Sequence, residues 1–292
     1  MDKIVTKAYA KINLGLDVLR RRPDGYHEVK MIMQTVDLYD VLLVSKKEEE
    51  NITISTQREE LPVNEDNLIY KAIKLMKEIY GFSGGVHVEL VKNIPIAAGM
   101  AGGSTDAAAA MRAVNTLFEL NRPLEELEKH AVKIGADVPY CIQGGTVLSE
   151  GIGEILTKLP NAPQCILLIA KPDIMVSTKY VYENLNLPEL KSHPDIDAMV
   201  EAIQKSDAQS MLEPMDNVLA TVTEEKYQII KEIKQTMIRN GAIKAMMSGS
   251  GPTVFGIFEN MVQAATTFDV IKEKGLAREI FISKFVNPQE EE

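Results

Sequence analysis

Apolar and polar residues alternate along much of the first half of the chain, and this pattern predicts strands. In segment 12–18 the even-numbered residues are apolar and the odd-numbered ones are polar or small, as in a strand with one buried face. A turn is predicted at Pro23-Asp24-Gly25. Further strands of this half are predicted at residues 29–33, 41–44, 52–55, 86–90, 145–149 and 153–159.

Apolar residues at helical spacing predict helices. In segment 67–79 they recur at intervals of three or four residues, which places them on one face of a helix. The alanine-rich run 106–117 consists of strong helix formers. The remaining helices are predicted at residues 123–134, 178–185, 195–204, 224–239 and 261–274, and the remaining strands at 164–170, 242–247, 253–258 and 279–285.

These elements predict an α+β chain. Its 292 residues, 45 % of them hydrophobic, favour two domains over one. The proline-rich stretch 156–163 is the candidate boundary. It divides the chain into an N-terminal ATP-binding domain (1–160) and a C-terminal domain (161–292), with the active cleft expected between them. The tail 289–292 is expected to be disordered.

The charge of the chain narrows the class of ligand. The formal net charge is −10 and the pI is about 5.1, which argues against nucleic acid or an anionic membrane as a partner. An anionic small molecule remains compatible with this charge, because loop amides and a few local lysines can bind phosphate.

Cysteine usage and hydropathy indicate a cytoplasmic protein. Cys141 and Cys165 are the only two cysteines, and they lack metal-ligand spacing. They are therefore expected to be buried thiols in a reducing compartment rather than a disulfide. No signal-peptide pattern precedes Lys3, and the longest apolar run, 166–170, is too short to span a bilayer.

A glycine-rich loop lies between the predicted strand 86–90 and the predicted helix 106–117. Its three glycines allow the backbone to come close to a ligand, and the N-terminus of the following helix attracts an anion through its N–H groups and dipole. The pattern therefore predicts a nucleotide phosphate loop. The residues expected to contact ATP there are Pro95, Ile96, Ala97, Ala98, Gly99, Met100, Ala101, Gly102, Gly103, Ser104 and Thr105.

Two better-known phosphate loops do not fit this segment. A Walker loop has a lysine directly after its last glycine, whereas Gly103 is followed by Ser104 and Thr105. The dinucleotide fingerprint requires Gly-x-Gly-x-x-Gly spacing, which Gly99, Gly102 and Gly103 do not have. The alternative is structural: a flexible lead-in to a helix that Ser104 or Thr105 caps.

Five segments in a fixed order carry a resemblance to a known superfamily. The loop and a second glycine turn near the C-terminus resemble two motifs of the galactokinase, homoserine kinase, mevalonate kinase and phosphomevalonate kinase (GHMP) superfamily. The other three resemble the branch of it whose substrate joins cytidine diphosphate to methylerythritol. The five segments are Ala10-Lys11-Ile12-Asn13-Leu14, Arg22-Pro23-Asp24-Gly25-Tyr26-His27, Pro95–Ala110, Gly135-Ala136-Asp137-Val138-Pro139 and Met247-Ser248-Gly249-Ser250-Gly251-Pro252-Thr253.

The resemblance covers almost the whole chain and implies both fold and activity. The implied fold has two domains: a strand-rich N-terminal one, with the phosphate loop before a helix, and a C-terminal α/β sandwich. The implied activity is ATP-dependent phosphorylation of the 2-hydroxyl of that substrate, in the non-mevalonate route to isoprenoid precursors. The alternatives are another kinase of the superfamily, a catalytically silent relative, or a phosphate-binding module on an unrelated fold.

Two residues are expected to carry the chemistry. Lys11 lies on the polar face of a predicted strand, where a lysine is often merely solvated. Asp137, two residues before Pro139, is also well placed to begin a helix. The resemblance implies that both are catalytic. Because an aspartate is a weak base toward an alcohol, we expect Asp137 to orient the hydroxyl and to accept its proton late.

The resemblance also implies the contacts with the phosphate acceptor. Asn13 shares the strand face of Lys11 and is assigned to the substrate. Tyr26 and His27 match residues that bind cytosine, one by stacking and one by hydrogen bonds. Tyr182 matches the second stacking aromatic, and Tyr180 is the alternative because it lies two residues away.

On the nucleotide side, Asn67 and Lys92 match residues that contact adenine or its ribose, although Lys92 also fits a lysine at a strand end. ATP is expected to arrive with Mg²⁺, for which the Ser104 and Thr105 hydroxyls are candidate ligands. No carboxylate ligand is identifiable, so no residue is assigned to the metal. The expected partner is a small-molecule substrate, and the expected state is a monomer or weak homodimer.

Overall fold

The protein is described by a computed structural model over residues 2–288. Within these residues helices and strands mix throughout, which confirms the predicted α+β class. The strands are β1 (Lys3–Arg21), β2 (His27–Lys47), β3 (Ile52–Thr56), β4 (Gly85–Val91), β5 (Thr146–Gly151), β6 (Ile155–Lys158), β7 (Ile166–Lys171), β8 (Lys244–Met247), β9 (Val254–Phe258) and β10 (Glu279–Lys284).

The helices alternate with these strands along the chain, together with a short 3₁₀ turn at Leu187–Glu189. They are α1 (Leu68–Tyr80), α2 (Gly102–Leu117), α3 (Leu124–Ala131), α4 (Val138–Gln143), α5 (Thr178–Glu183), α6 (Ile196–Gln204), α7 (Ala208–Leu212), α8 (Ala220–Lys226), α9 (Gln228–Arg239) and α10 (Met261–Glu273).

The first of two compact units comprises the residues up to Ala10, Leu38–Ile96 and Ala101–Gly144. In it β4 pairs antiparallel with the C-terminal half of β2 and parallel with β3. Helices α1 and α2 pack together. The alanine run of α2 is fully buried, because its small side chains allow neighbouring backbones to approach closely.

The second unit comprises Lys11–Asp37, Ala97–Met100 and the chain from Gly145 onward. In it the N-terminal half of β2 pairs with β5, which pairs with β6. A separate antiparallel sheet has the order β10-β7-β9-β8, and α9 and α10 contact it. The fully apolar strand β9 is buried along its whole length.

Strand β2 is longer than its pattern predicts. Residues 29–33 and 41–44 belong to one continuous strand, because polar side chains between them find partners inside the fold. Gln34 accepts a hydrogen bond from the Thr146 hydroxyl at 2.6 Å and donates to the Thr35 carbonyl at 2.8 Å. A polar residue that interrupts an apolar pattern therefore does not end a strand when its partners are buried with it.

Two helix predictions need correction. The predicted helix 224–239 is two helices, α8 and α9, separated at Tyr227, whose φ of −126° and ψ of 88° are not helical. Helix α2 begins at Gly102 rather than at 106. Helix α7 was not predicted at all.

The remaining expectations concern the cysteines, membrane-spanning segments, the domain division and the C-terminal tail. Cys141 and Cys165 are free thiols, as predicted, but only Cys141 is buried, whereas Cys165 is partly exposed. Within residues 2–288, no helix has both the length and the apolar character needed to cross a membrane. The domain division at 160/161 stays a prediction. The expected disorder of 289–292 lies outside the described residues.

Candidate active site

The glycine-rich loop has a contorted backbone that ends directly in α2. Ala97, Gly99 and Ala101 all have positive φ, of 51°, 71° and 57°, an uncommon conformation for alanine. Ala101 occupies the N-cap position and makes no side-chain capping bond. Ser104 lies inside the first turn, so the alternative in which Ser104 or Thr105 caps the helix is wrong. The first-turn N–H groups are thus left uncapped by a side chain, as an anion site requires.

The second glycine turn, Ser248–Gly251, packs on this loop within the second unit. The Ser248 hydroxyl donates to the Gly99 carbonyl at 3.0 Å. A Cβ at Gly99 would lie 2.4 Å from the Ser248 carbonyl oxygen, so only glycine fits there. Two segments that the sequence separates by about 150 residues therefore meet backbone to backbone.

Lys11 and Asn13, both in strand β1, lie beside the glycine-rich loop, and both are buried. The Lys11 ammonium donates to Asn13 Oδ1 at 3.0 Å, and Asn13 Nδ2 contacts the sulfur of Met31 at 3.2 Å. The Lys11 backbone N–H donates to the carbonyl of Met100 in the glycine-rich loop at 3.2 Å. The structure thus brings Lys11, Asn13 and this part of the loop together.

Lys92 has a different environment from the one expected of a nucleotide contact. Its ammonium lies 2.5 Å from Asp40 Oδ2 and 2.6 Å from Asp106 Oδ2, and only 3 % of its side chain is exposed. It does follow strand β4, in line with the strand-end alternative. A role toward the nucleotide stays a prediction, but the ammonium is already paired with two carboxylates.

Asn67 caps helix α1, and its side chain is engaged in the cap. Its Oδ1 accepts from the Ile69 N–H at 2.8 Å, and its Nδ2 donates to the Pro62 carbonyl at 2.7 Å. Of the two loop hydroxyls, Ser104 is partly exposed and Thr105 is buried. Ser104 is therefore the more accessible of the two to a ligand.

Asp137 occupies the position before α4, with Pro139 in the first turn. It is half-buried, and its side chain makes no capping hydrogen bond. The helix therefore begins directly after Asp137, which occupies the N-cap position of the structural alternative, but its carboxylate does not cap the helix. Its predicted action together with Lys11 stays a prediction.

An aromatic cluster forms where the β1–β2 hairpin meets α5. The His27 and Tyr182 rings lie 5.2 Å apart at 35°. Tyr26, at the hairpin turn, is 61 % exposed. The ring of Tyr180 lies under the Lys226 ammonium at 3.5 Å. Of the two candidate tyrosines, Tyr182 is thus the one in contact with His27.

Burial lowers the pKa of His27 from its ordinary value of 6.5, and the nearby positive charge of Arg21 lowers it further. Both effects disfavour the imidazolium. The ring is therefore neutral at pH 7, with one nitrogen as donor and the other as acceptor.

The sequence interpretation missed three polar residues that hold Lys92 or the second glycine turn in place. Asp40 and Asp106 pair with Lys92, and buried Asn217 donates at 2.8 Å to the carbonyls of Met247 and Gly249, which holds the second glycine turn. Asp106 stands inside the loop motif directly before an alanine run, and a charged residue in this otherwise small and apolar stretch was the available signal. Asp40 and Asn217 had none, because their partners lie far away in sequence.

No group of three or more histidine, cysteine, aspartate or glutamate side chains that could hold a metal ion occurs within residues 2–288.

Comparison with known proteins first defines the class. The family models for the GHMP kinases N terminal domain and the GHMP kinases C terminal domain match residues 67–145 and 199–276. Together they include the loop, Asp137 and the second glycine turn.

Relatives then define the branch. A protein of Lachnospira eligens named 4-diphosphocytidyl-2-C-methyl-D-erythritol kinase is 54 % identical over 99 % of this chain and 100 % of its own. One of that name from Lachnoclostridium phytofermentans is 52 % identical over 98 % of each. A crystal structure of 4-(cytidine 5'-diphospho)-2C-methyl-D-erythritol kinase matches with a TM-score of 0.83 and 30 % identity, over 97 % of this chain and 99 % of the other. The chain therefore belongs to the 4-diphosphocytidyl-2-C-methyl-D-erythritol kinase family of the GHMP kinases.

Proposed function

We infer that the chain transfers the γ-phosphoryl group of ATP to the 2-hydroxyl of 4-diphosphocytidyl-2-C-methyl-D-erythritol, a step in the non-mevalonate route to isoprenoid precursors. The observation that carries this is full-length identity of up to 54 % to relatives of that name. The phosphate loop and the aromatic hairpin supply the two kinds of contact that such a reaction needs.

We propose that the loop residues Pro95–Thr105 hold the ATP phosphates. The uncapped first turn of α2 and the bare backbone at Gly102 and Gly103 support this, since N–H groups there can approach phosphate oxygens closely. Asn67 is the proposed contact at the adenosine end; the resemblance also assigns Lys92 there, but the Lys92 ammonium is already paired with two carboxylates.

A Mg²⁺ ion carried in by ATP fits this site. The partly exposed Ser104 hydroxyl is the proposed protein ligand, with Thr105 as the more buried alternative, and the phosphates supply the remaining oxygens. When bound, the ion would neutralise phosphate charge during transfer.

The protein groups proposed for the transfer itself are Asp137 and Lys11. Asp137 orients the attacking hydroxyl and takes its proton late, since the transition state of phosphoryl transfer is loose and needs little prior deprotonation. Lys11 offsets the charge that develops on the transferring group. Its hydrogen bond to Asn13 supports this by fixing the ammonium in place.

We propose that Tyr26, His27 and Tyr182 bind the cytosine. The neutral His27 ring can both donate to and accept from the base, and tyrosine faces stack on it with little loss of conformational freedom. Asn13 is proposed to contact the methylerythritol end. A cytoplasmic location and a monomer or weak homodimer complete the proposal.

Release of ADP in a coupled assay tests the function. We expect turnover with 4-diphosphocytidyl-2-C-methyl-D-erythritol to exceed that with mevalonate, homoserine or 2-C-methyl-D-erythritol 4-phosphate by orders of magnitude. Equal specificity constants for the first and last would mean that no cytidine site exists. Absence of turnover with all four, alongside ATP binding, would indicate a silent relative.

A further inference from the structure

Asp40, Lys92 and Asp106 form a buried charged cluster that the proposed reaction does not use. Their side chains are 0 %, 3 % and 5 % exposed. Asp40 lies in β2, Lys92 directly after β4 and Asp106 in α2. The cluster therefore joins three elements of the first unit at one point.

Asp40 holds the entrance of the phosphate loop. Its Oδ1 accepts hydrogen bonds from the backbone N–H groups of Asn93, at 2.6 Å, and Ile94, at 2.8 Å. These residues directly precede Pro95, the first residue of the loop. The carboxylate thereby satisfies two backbone donors at the point where the chain leaves the sheet.

Lys92 connects this entrance to the exit of the loop. Its ammonium bridges Asp40 Oδ2 and Asp106 Oδ2, and Asp106 lies one turn into α2. At the helix start, a Cβ on Gly102 would lie 3.0 Å from the Lys92 ammonium and 3.1 Å from Ile94 Cγ2. The start of α2 therefore rests directly on the lysine.

The charges of the cluster do not balance if both carboxylates are ionised, and such an imbalance is costly in a dry interior. Burial, with a smaller contribution from Asp40, raises the pKa of Asp106 well above its ordinary value against the opposing effect of Lys92. Asp106 Oδ1 is also buried with no hydrogen-bond partner. Both observations indicate that a full negative charge on Asp106 would be poorly compensated.

We propose that Asp40, Lys92 and Asp106 are positioning residues that tie the two ends of the phosphate loop together and so preform it for the ATP phosphates. Lys92 then acts through the loop rather than by touching the nucleotide. This inference rests on the proposed ATP-binding function and extends it to residues that have no ligand contact.

The test measures three quantities in wild type and in variants of the cluster: the ATP affinity by calorimetry, the KM of each substrate, and kcat. Lys92→Met and Asp106→Ala should each weaken ATP binding by about tenfold or more, equal to about 1.4 kcal/mol. The KM of the cytidyl substrate should stay within about twofold, as it depends on other contacts. Asp106→Asn should bind ATP within about twofold of wild type, because the amide oxygen still accepts from Lys92.

Lys234→Met is the matched control. It breaks a 2.6 Å ion pair with Glu224 far from the loop in sequence and should leave the ATP affinity unchanged. A purely structural role would lower the melting temperature and the active fraction without changing the ATP constant, and that result would overturn the inference. If Lys92→Met does not fold, Asp106→Ala decides. Failure of wild type to bind ATP would instead refute the proposed function.

Discussion

The phosphate loop and the Tyr26–His27 hairpin are both proposed to bind ligand, but they are built from opposite kinds of contact. The ends of the loop are held by charged groups with almost no exposure, at hydrogen-bond distances of 2.5–2.8 Å. The hairpin presents an exposed Tyr26 and a ring contact of 5.2 Å between His27 and Tyr182.

The difference follows from what each region has to recognise. Phosphate oxygens require several N–H groups at fixed positions, and these must be in place before the ligand arrives. A base offers a flat face, to which aromatic side chains can adapt. Substitutions of the groups that hold the ends of the loop should therefore affect both the stability and ATP binding, whereas substitutions in the hairpin should affect binding of the cytidyl substrate alone.

The largest effect is expected on kcat, from substitution of Asp137 or Lys11, which belong to neither of the two regions compared above. Asp137→Asn should lower kcat by about 10²- to 10⁴-fold, the usual contribution of a positioned acid–base group, and leave both substrate constants nearly unaltered. Lys11→Ala should lower kcat at least as far. Steady-state kinetics with both substrates checks this. Near-normal turnover in folded variants would remove these residues from the mechanism.

The aromatic side of the comparison is tested by Tyr26→Ala and Tyr182→Ala. Each removes one proposed stacking face, which costs about 1–3 kcal/mol, or roughly 5- to 150-fold in the KM of the cytidyl substrate. The KM of ATP and the melting temperature should barely change. Tyr180→Ala is the matched control, because its ring is covered by Lys226. An equal effect of Tyr180→Ala would contradict the choice of Tyr182.

Substitution of two glycines tests the proposed role of the phosphate loop. A Cβ at Gly103 would meet Leu68 only at an ordinary 3.4 Å, so Gly103→Ala should keep the melting temperature and weaken ATP binding by about tenfold through crowding of the phosphate. Gly99→Ala should lower both the melting temperature and the ATP affinity. The positive φ of Gly99 disfavours alanine, and the Ser248 carbonyl leaves no room for a Cβ atom. Unchanged ATP affinity in Gly103→Ala would place the phosphates elsewhere.

The smallest effect is expected in the pH dependence of the KM of the cytidyl substrate. Because the pKa of His27 is lowered from 6.5, the ring stays neutral above that pH. The KM of the cytidyl substrate should be flat there and should rise a few-fold once the pH falls through the lowered pKa, since an imidazolium cannot accept a hydrogen bond. Arg21→Gln should shift this rise to higher pH, and His27→Asn should abolish it. A pH profile of KM that these variants do not alter would exclude His27.

Local pattern was sufficient for much of the fold. Strand β1 was predicted from its alternation and helix α1 from its spacing. The side chain of Asn67 caps that helix, a feature that the prediction did not use. The loop was predicted from three glycines before an alanine run. In each case the signal lies within a few consecutive residues, where backbone geometry and side-chain direction depend on near neighbours.

Only the tertiary structure decided which distant groups meet. Asp40 and Lys92 are 52 residues apart, and Asn217 and Met247 are 30 apart, so no local pattern marks them as partners. The same holds for which tyrosine contacts His27, since Tyr180 and Tyr182 share one short helix and differ in what lies across from them. Periodicity determines which face of an element is buried, but a polar side chain on that face is stable only beside a partner that the folded chain delivers.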